Sequence, residues 1–322
     1  MKKLLCTITV FASTVLTLLP AQAQQWPAKP IWFVNSGSPG TGGDILARVL
    51  ADRLSQALGQ PIMHDNKPGA GHRIAAARVA KSAADGYTML LTTASYPIMP
   101  ALFVEMPFDL LTDLDHVALV GTSQFVLVAG AGVPVTSVRE LIAHVKTRPG
   151  KLTFASIGTG SLFHLGIELF KSMTGTDILH VPYKSPGAAV TDVAAGHIDL
   201  MFPTYSSSKT FIDSGKMRLL AAGGSARLQT LPDVPTLSEA GVKGFAVDGW
   251  YGVAVAARTS ERIVNRLAQE IHAVVTQPAI KEKLTDLGYD VDYEGPRELR
   301  QRIQRETAAW GKLVKDLGIK PE

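Results

Sequence analysis

The sequence predicts an α/β protein of two lobes with a cleft between them, each lobe a mostly parallel sheet flanked by helices. Three observations carry this. Short apolar strands alternate with longer amphipathic helices from Pro30 onward, the order from which parallel sheets with helices on both faces are built. The same order restarts near Leu152. Between and after the two series, the apolar stretches 117–129 and 250–256 read as the chain passing to a second lobe and returning. Two similar lobes joined by two crossings enclose a cleft.

In the first series residues 31–34 are a buried strand and 35–43 a loop rich in glycine and serine. Residues 44–58 carry Ile45, Val49, Leu50, Leu54 and Leu58 close to one stripe, the spacing of an amphipathic helix. Gly59-Gln60-Pro61 stops it, because glycine suits a helix C-cap and proline cannot continue one. A strand at 61–64, a turn at 66–71, a helix at 74–83 and a strand at 89–92 follow. The second series opens with a strand at 152–156, a glycine-rich loop at 157–161 and a helix at 162–173. Strands are expected at 178–181, 200–202 and 219–222, and the last 65 or so residues are mainly helical.

The first 23 residues have the grammar of an export signal: Lys2 and Lys3, an apolar run from 4 to 19, and Ala21-Gln22-Ala23 as a small-x-small cleavage site. The run is too short for a comfortable membrane span, and nothing like it recurs downstream. The single cysteine, Cys6, falls inside this segment. The mature chain therefore has no disulfide, thiolate nucleophile or cysteine metal site, and the periplasm is the expected location. With 32 basic and 28 acidic residues, scattered without runs or interleaved aromatics, the chain lacks the footprint of a nucleic-acid binder.

Both series begin strand, glycine-rich loop, helix, and ligands of open parallel sheets sit where such loops gather. The first loop is Gly37-Ser38-Pro39-Gly40-Thr41-Gly42-Gly43, with Asp44 as the candidate N-cap. The second is Gly158-Thr159-Gly160-Ser161, with Ser161 as the candidate N-cap. Each helix start offers unpaired amides and the positive end of a dipole, so a pair facing each other suits a molecule with two carboxylates, or with one carboxylate and a polar tail. Spacing alone leaves open whether the loops bind anions or are ordinary strand-to-helix turns.

Catalytic signatures are missing from both loops. Neither ends Gly-Lys-Ser/Thr, Phe163 stands where a dinucleotide fingerprint has its third glycine, and there is no Gly-x-Ser-x-Gly elbow. His164 and Glu168, four apart on a helix, read as a hydrogen-bonded pair lacking a third metal ligand. Asp109, Asp113 and Asp115 lack the glycine and closing glutamate of a calcium loop. No cofactor, metal or catalytic residue is expected.

Several blocks in order carry a resemblance: Trp26-Pro27-Ala28-Lys29-Pro30-Ile31, Leu58-Gly59-Gln60-Pro61, Asn66-Lys67-Pro68-Gly69-Ala70-Gly71 and Asp85-Gly86-Tyr87-Thr88. They continue with Pro149-Gly150-Lys151-Leu152, Gly158-Thr159-Gly160-Ser161, His180-Val181-Pro182-Tyr183-Lys184 and Leu231-Pro232-Asp233-Val234-Pro235-Thr236. Over essentially its whole mature length the chain resembles the Bug family of periplasmic solute-binding proteins, the receptors of tripartite tricarboxylate transporters. The resemblance implies a two-lobed type II periplasmic binding protein, a Venus flytrap, holding a small carboxylate by main-chain amides, small hydroxyls and water. Its implied ligand contacts are Ser38, Gly40, Thr41, Gly42 and Gly43 in the first loop, and Thr92, Thr93 and Ser95 after the third strand. From the second lobe it implies Ser156, Gly158, Thr159, Ser161, Tyr183 and Thr204. The implied partner is the membrane permease of such a transporter, with the receptor a monomer.

The chain also departs from the family pattern. Asn35-Ser36-Gly37-Ser38 stands where proline and an aromatic are usual, and Gly71-His72-Arg73-Ile74 replaces Gly-Gly-Asn-Ile. Pro203-Thr204 stands where many relatives carry an aspartate that would pair with a ligand amine, which argues against an amino-acid ligand. The expected organisation is a signal peptide at 1–23, lobe 1 from 24–122 with 225–322, and lobe 2 from 123–224. Two other functions stay open on these residues: a sensor that presents its closed form to a signalling protein, and a periplasmic hydrolase. Phe163, Tyr96 and Tyr205 equally allow an aromatic acid, so aliphatic and aromatic dicarboxylates are both expected ligands.

Overall fold

The computed structural model describes residues 26–39 and 41–319. The expected signal peptide and Gly40 lie outside the described residues. The chain begins β1 (Ile31–Asn35), α1 (Gly42–Leu58), β2 (Ile62–Asn66), α2 (Arg73–Ala80), β3 (Thr88–Thr93), α3 (Met99–Leu102) and β4 (Leu114–Gln124). It crosses at Phe125 into β5 (Val126–Gly130), α4 (Val138–Thr147), β6 (Thr153–Ser156), α5 (Leu162–Thr174) and β7 (Leu179–Pro182). There follow α6 (Pro186–Ala194), β8 (Leu200–Met201), α7 (Tyr205–Asp213) and β9 (Met217–Ala222). The return runs through β10 (Asp248–Ala256), then α8 (Glu261–Val275), α9 (Pro278–Asp286), β11 (Tyr289–Asp290) and α10 (Pro296–Asp316).

These strands form two sheets, β11-β4-β10-β3-β1-β2 and β7-β6-β8-β5-β9. The first draws on 31–124 and 248–290, the second on 126–222, so the architecture is two-lobed. Each sheet is mixed where a mostly parallel one was expected. β1 pairs parallel with β2 and β3, and β6 with β7 and β8, but β10, β4, β5, β9 and β11 pair antiparallel. The cause is the crossings: β5 and β10 enter their lobes from the cleft and so run against the strands whose carboxyl ends face it, while β4 leaves lobe 1 in the same direction as those strands.

In the first sheet the period-two alternation of side chains separates two cores. Ile31, Phe33, Met89, Leu91, Val253 and Val255 face α1, α8 and α9, while Val34, Leu90 and Ala254 face α2 and α10. Leu46, Leu50, Leu54 and Leu58 form the buried side of α1, which ends at Gly59 in the left-handed region (φ 67°). Ile45, placed on that stripe by periodicity, is instead 37% exposed and borders the cleft. The core on the α2 side continues without a break into lobe 2 through an aromatic seam. Phe125 packs edge-on to Phe163 and stacks on Phe202, and Phe202 meets Phe245 edge-on, with ring centroids 5.2, 5.4 and 5.8 Å apart.

Candidate functional site: the interlobe cavity

A cavity of about 1000 Å³ lies between the sheets, at the large end of the roughly 300–1,000 Å³ typical of small-molecule sites. The parallel strands β1, β3, β6 and β7 and the short β8 all point their carboxyl ends toward it, and the following loops or helix starts form its walls. Lobe 1 supplies Asn35 to Pro39, Thr41 to Gly43, His72 and Thr93 to Ser95. Lobe 2 supplies Ile157, Ser161 to Phe163, Lys184 to Gly187 and Thr204 to Ser207. Ser123, Phe125, Gly249, Trp250 and Tyr251 line it along the crossings, and Thr285 to Tyr289 close the far edge.

Four helices, α1, α5, α6 and α7, start at this cavity, and their N-caps differ. Ser161 Oγ accepts the His164 amide and Ser185 Oγ the Ala188 amide, so α5 and α6 are capped by their own side chains. Thr41 before α1 and Thr204 before α7 make no such bond. Thr41 Oγ1 donates to Ser38 O, and Thr204 Oγ1 to Ser207 Oγ. The two starts without a side-chain cap therefore belong to opposite lobes. The positive end of a helix dipole favours an anion by about 0.3–1 kcal/mol, and about 2 when partly buried.

The lobe 1 loop is braced from below. Asp44 is buried inside the first turn of α1, where Oδ1 accepts from Asn66 Nδ2 (2.9 Å) and meets His64 Nε2 (2.7 Å), and Oδ2 accepts from Arg48 Nε (3.1 Å). This corrects its expected place as N-cap: α1 begins two residues earlier, at Gly42, because the end of β2 holds Asp44 under the turn. Asn66 Nδ2 also donates to Gly37 O at 2.8 Å.

The lobe 2 loop satisfies itself. Gly158 and Gly160 sit at φ 110° and 78°, conformations L side chains rarely adopt. Ser156 Oγ accepts the Gly158 amide, and His164 Nδ1 accepts that of Gly160 at 3.2 Å. His164 is thus a strut of the loop; its Nε2 lies 3.8 Å from Glu168, too long for the hydrogen bond expected of that pair. Burial, then the neighbouring His180 and Lys171, lower His164 to about 4. Ser156 Oγ is also 2.6 Å from His180 Nε2, a serine-histidine contact no sequence motif announced. Ser156 is fully buried and does not border the cavity, so its hydroxyl supports the loop where a substrate cannot reach it.

Of the residues expected to contact a ligand, Ser38, Thr41, Gly42, Gly43, Thr93, Ser95, Ser161 and Thr204 are brought together around the cavity. Thr92 is fully buried beside Gly252 of the neighbouring strand β10, its hydroxyl without a partner among the described residues, and it does not border the cavity. Ser156, Gly158 and Thr159 build the turn, and Tyr183 donates to Asp192 at 2.6 Å; none of these borders the cavity. Sequence reasoning missed the α6 start, although Ser185-Pro186 is a readable N-cap followed by proline at N1. It also missed Thr285 to Tyr289, a segment distant in sequence from both glycine-rich loops that closes the wall without any local signal. Trp250 and Tyr251, at the start of the stretch read as the returning crossing, line the cavity as well.

The lobes touch beside the cavity at two glycines. A Cβ on Gly160 would lie 2.1 Å from Leu102 of lobe 1, and one on Gly288 would lie 2.8 Å from Ser206 of lobe 2. Among the described residues there is no cluster of three His, Cys, Asp or Glu fit for a metal ion, and no helix long and apolar enough to cross a membrane.

Two lobes, two crossings and a cavity ringed by helix starts define a solute-binding receptor with the periplasmic-binding-protein fold. The chain belongs to the TctC family, the tripartite tricarboxylate transporter family receptors, whose model matches residues 46–319. It is 35% identical to Protein BugT of Bordetella pertussis over 322 residues, 99% of each chain. It is similar to Rpa4515 of R. palustris, solved with adipate, at 34% identity and a TM-score of 0.85, covering 92% of this chain and 100% of that one. It is also similar to MatC from Rhodopseudomonas palustris with bound malate, at 29% identity and a TM-score of 0.79, covering 90% and 100%. Family and fold are those of binding receptors, not enzymes.

Proposed function

We propose that this protein is a periplasmic receptor that captures a small dicarboxylate between its lobes and delivers it to the membrane permease of a tripartite tricarboxylate transporter. The observation that carries the reading is the pair of helix starts without side-chain caps, α1 in lobe 1 and α7 in lobe 2, at one cavity. A molecule with a carboxylate at each end satisfies both and bridges the lobes. Ser38, Thr41, Thr93, Ser95, Ser161 and Thr204 add hydroxyls around it. The adipate and malate bound to two relatives are both dicarboxylates, which supports the choice. Apolar and aromatic lining from Phe125, Phe163, Tyr205, Trp250 and Tyr251 suits the carbon body between the acid groups. Strand membership supports a first lobe boundary near residue 122, whereas residues 225–247 join lobe 2 through Thr236 beside Ala222 and Phe245 against Phe202, which moves the second boundary toward 248.

Binding by both lobes shifts population toward the closed form, because only that form offers both sets of contacts. The test is thermal unfolding of residues 24–322 against aliphatic and aromatic mono- and dicarboxylates and amino acids. At a hundred times its dissociation constant a ligand adds about 2.7 kcal/mol, a rise of several degrees in Tm. A rise confined to dicarboxylates is the expected result. No rise with any acid, on protein refolded from denaturant to strip bound ligand, overturns the reading.

A further inference from the structure

Asn35 ends β1 at the lobe 1 wall of the cavity and is only 1% exposed. Its Oδ1 accepts the Gly37 amide at 3.0 Å, turning the chain toward α1. That bond fixes which way the amide points, since the nitrogen end cannot accept. Nδ2 then has no acceptor among the described residues. Buried polar groups in folded proteins are nearly all paired, so an amide left without an acceptor at a cavity wall calls for a reason. The surrounding chain leaves it room: a Cβ on Gly37 would stand 3.2 Å from Nδ2, and one on Gly43 3.6 Å from Oδ1.

The same wall has a second polar feature. Ser36 Oγ and His72 Nδ1 are 2.9 Å apart, and both residues border the cavity. His72 sits in the left-handed region (φ 74°) with its ring 5.9 Å from that of Tyr96. Burial lowers its pKa to about 4, so the ring is neutral at pH 7. A neutral wall of this kind recognises its ligand by donor geometry, without a side-chain cation.

We propose that Asn35 Nδ2 is the ligand donor of lobe 1 that sets specificity: it donates to a carboxylate oxygen of the bound acid seated at the start of α1, beside a wall fixed by the Ser36–His72 pair. The proposal rests on the carboxylate reading and deepens it by naming the side chain that reads one end of the ligand. Asn35→Asp tests it, because Oδ1 remains for the Gly37 amide while the donor becomes an acceptor of the wrong sign. Calorimetric titration would use whichever of adipate, malate and terephthalate stabilises the wild type most. A hydrogen bond to a charged group translates into about a tenfold to hundredfold loss of affinity. If a buried carboxylate at 35 prevents folding, Asn35→Ala, checked by circular dichroism, decides through the same titration. A folded variant that binds the acid as tightly as the wild type overturns the assignment of Asn35 and leaves the carboxylate reading standing. A wild type that binds none of the three acids overturns both.

Discussion

The loop after β1 and the loop after β6 are built on one plan, strand then glycines then helix, yet they place their hydrogen-bonding capacity differently. In lobe 2 the turn consumes its own donors: Ser161 caps α5, Ser156 takes the Gly158 amide and His164 takes that of Gly160. In lobe 1 the bracing comes from beneath, through Asp44, His64 and Asn66; Thr41 places no side-chain cap on α1, and Asn35 Nδ2 is buried at the wall without an acceptor among the described residues. One loop is internally satisfied. The other is anchored from beneath, which leaves Asn35 Nδ2 for a ligand. The lobe 2 start that matches it is α7, not the glycine-rich loop that resembles it in sequence.

The comparison breaks hardest at Asp44. Asp44→Ala leaves His64, Asn66 and Arg48 without the acceptor they share, and buried groups left unsatisfied cost about 1–3 kcal/mol. Urea unfolding should show that loss; a change below about 1 kcal/mol would mean the loop is not anchored from below.

The second effect is pH dependence, and it belongs to the lobe 2 strut. His164 takes up a proton near 6.5 when unfolded but only near 4 when folded, as do buried His116 and His72. Between those values the unfolded chain binds more protons, so stability falls as pH drops from about 6.5 toward 4, by up to about 1.4 kcal/mol per pH unit for each group. Above about 6.5 these three groups contribute no slope. Urea midpoints measured from pH 7.5 to 4 check this, and His164→Gln should flatten part of the slope. An unchanged slope would remove His164 from the account.

The smallest effect sharpens the contrast most. Ser161→Ala removes a cap bond and should cost about 1 kcal/mol of stability. Thr41→Ala removes no cap bond and should change stability by less than about 0.5 kcal/mol. Equal losses in the two melts would show that the loops are not different in kind.

Much of the fold was legible in the sequence, because strands of period two and helices of period 3.6 leave local traces. The α5 start, the Gly59 stop and both crossings stand within a residue or a few of where the pattern put them. The antiparallel pairings were not legible, since strand direction in a crossing depends on where the chain must go next. Ser156 and Tyr183 carry the right chemistry at the right strand ends, but their side chains turn to His180 and Asp192, and Thr92 is buried within the sheet beside Gly252. A hydroxyl after a strand shows that a donor is near the cleft and does not show which way it points.

By itself the sequence determined the order of elements, the two lobes and the glycine-rich turns, because these follow from local periodicity and backbone freedom. Only the tertiary structure decided which donors remain for a ligand. That depends on hydrogen bonds between residues far apart in the chain: Asp44 with His64 and Asn66, Ser156 with His180, and Ser36 with His72. A donor is available to a ligand only when no neighbour has claimed it, and those neighbours are chosen by the packing of strands onto one another.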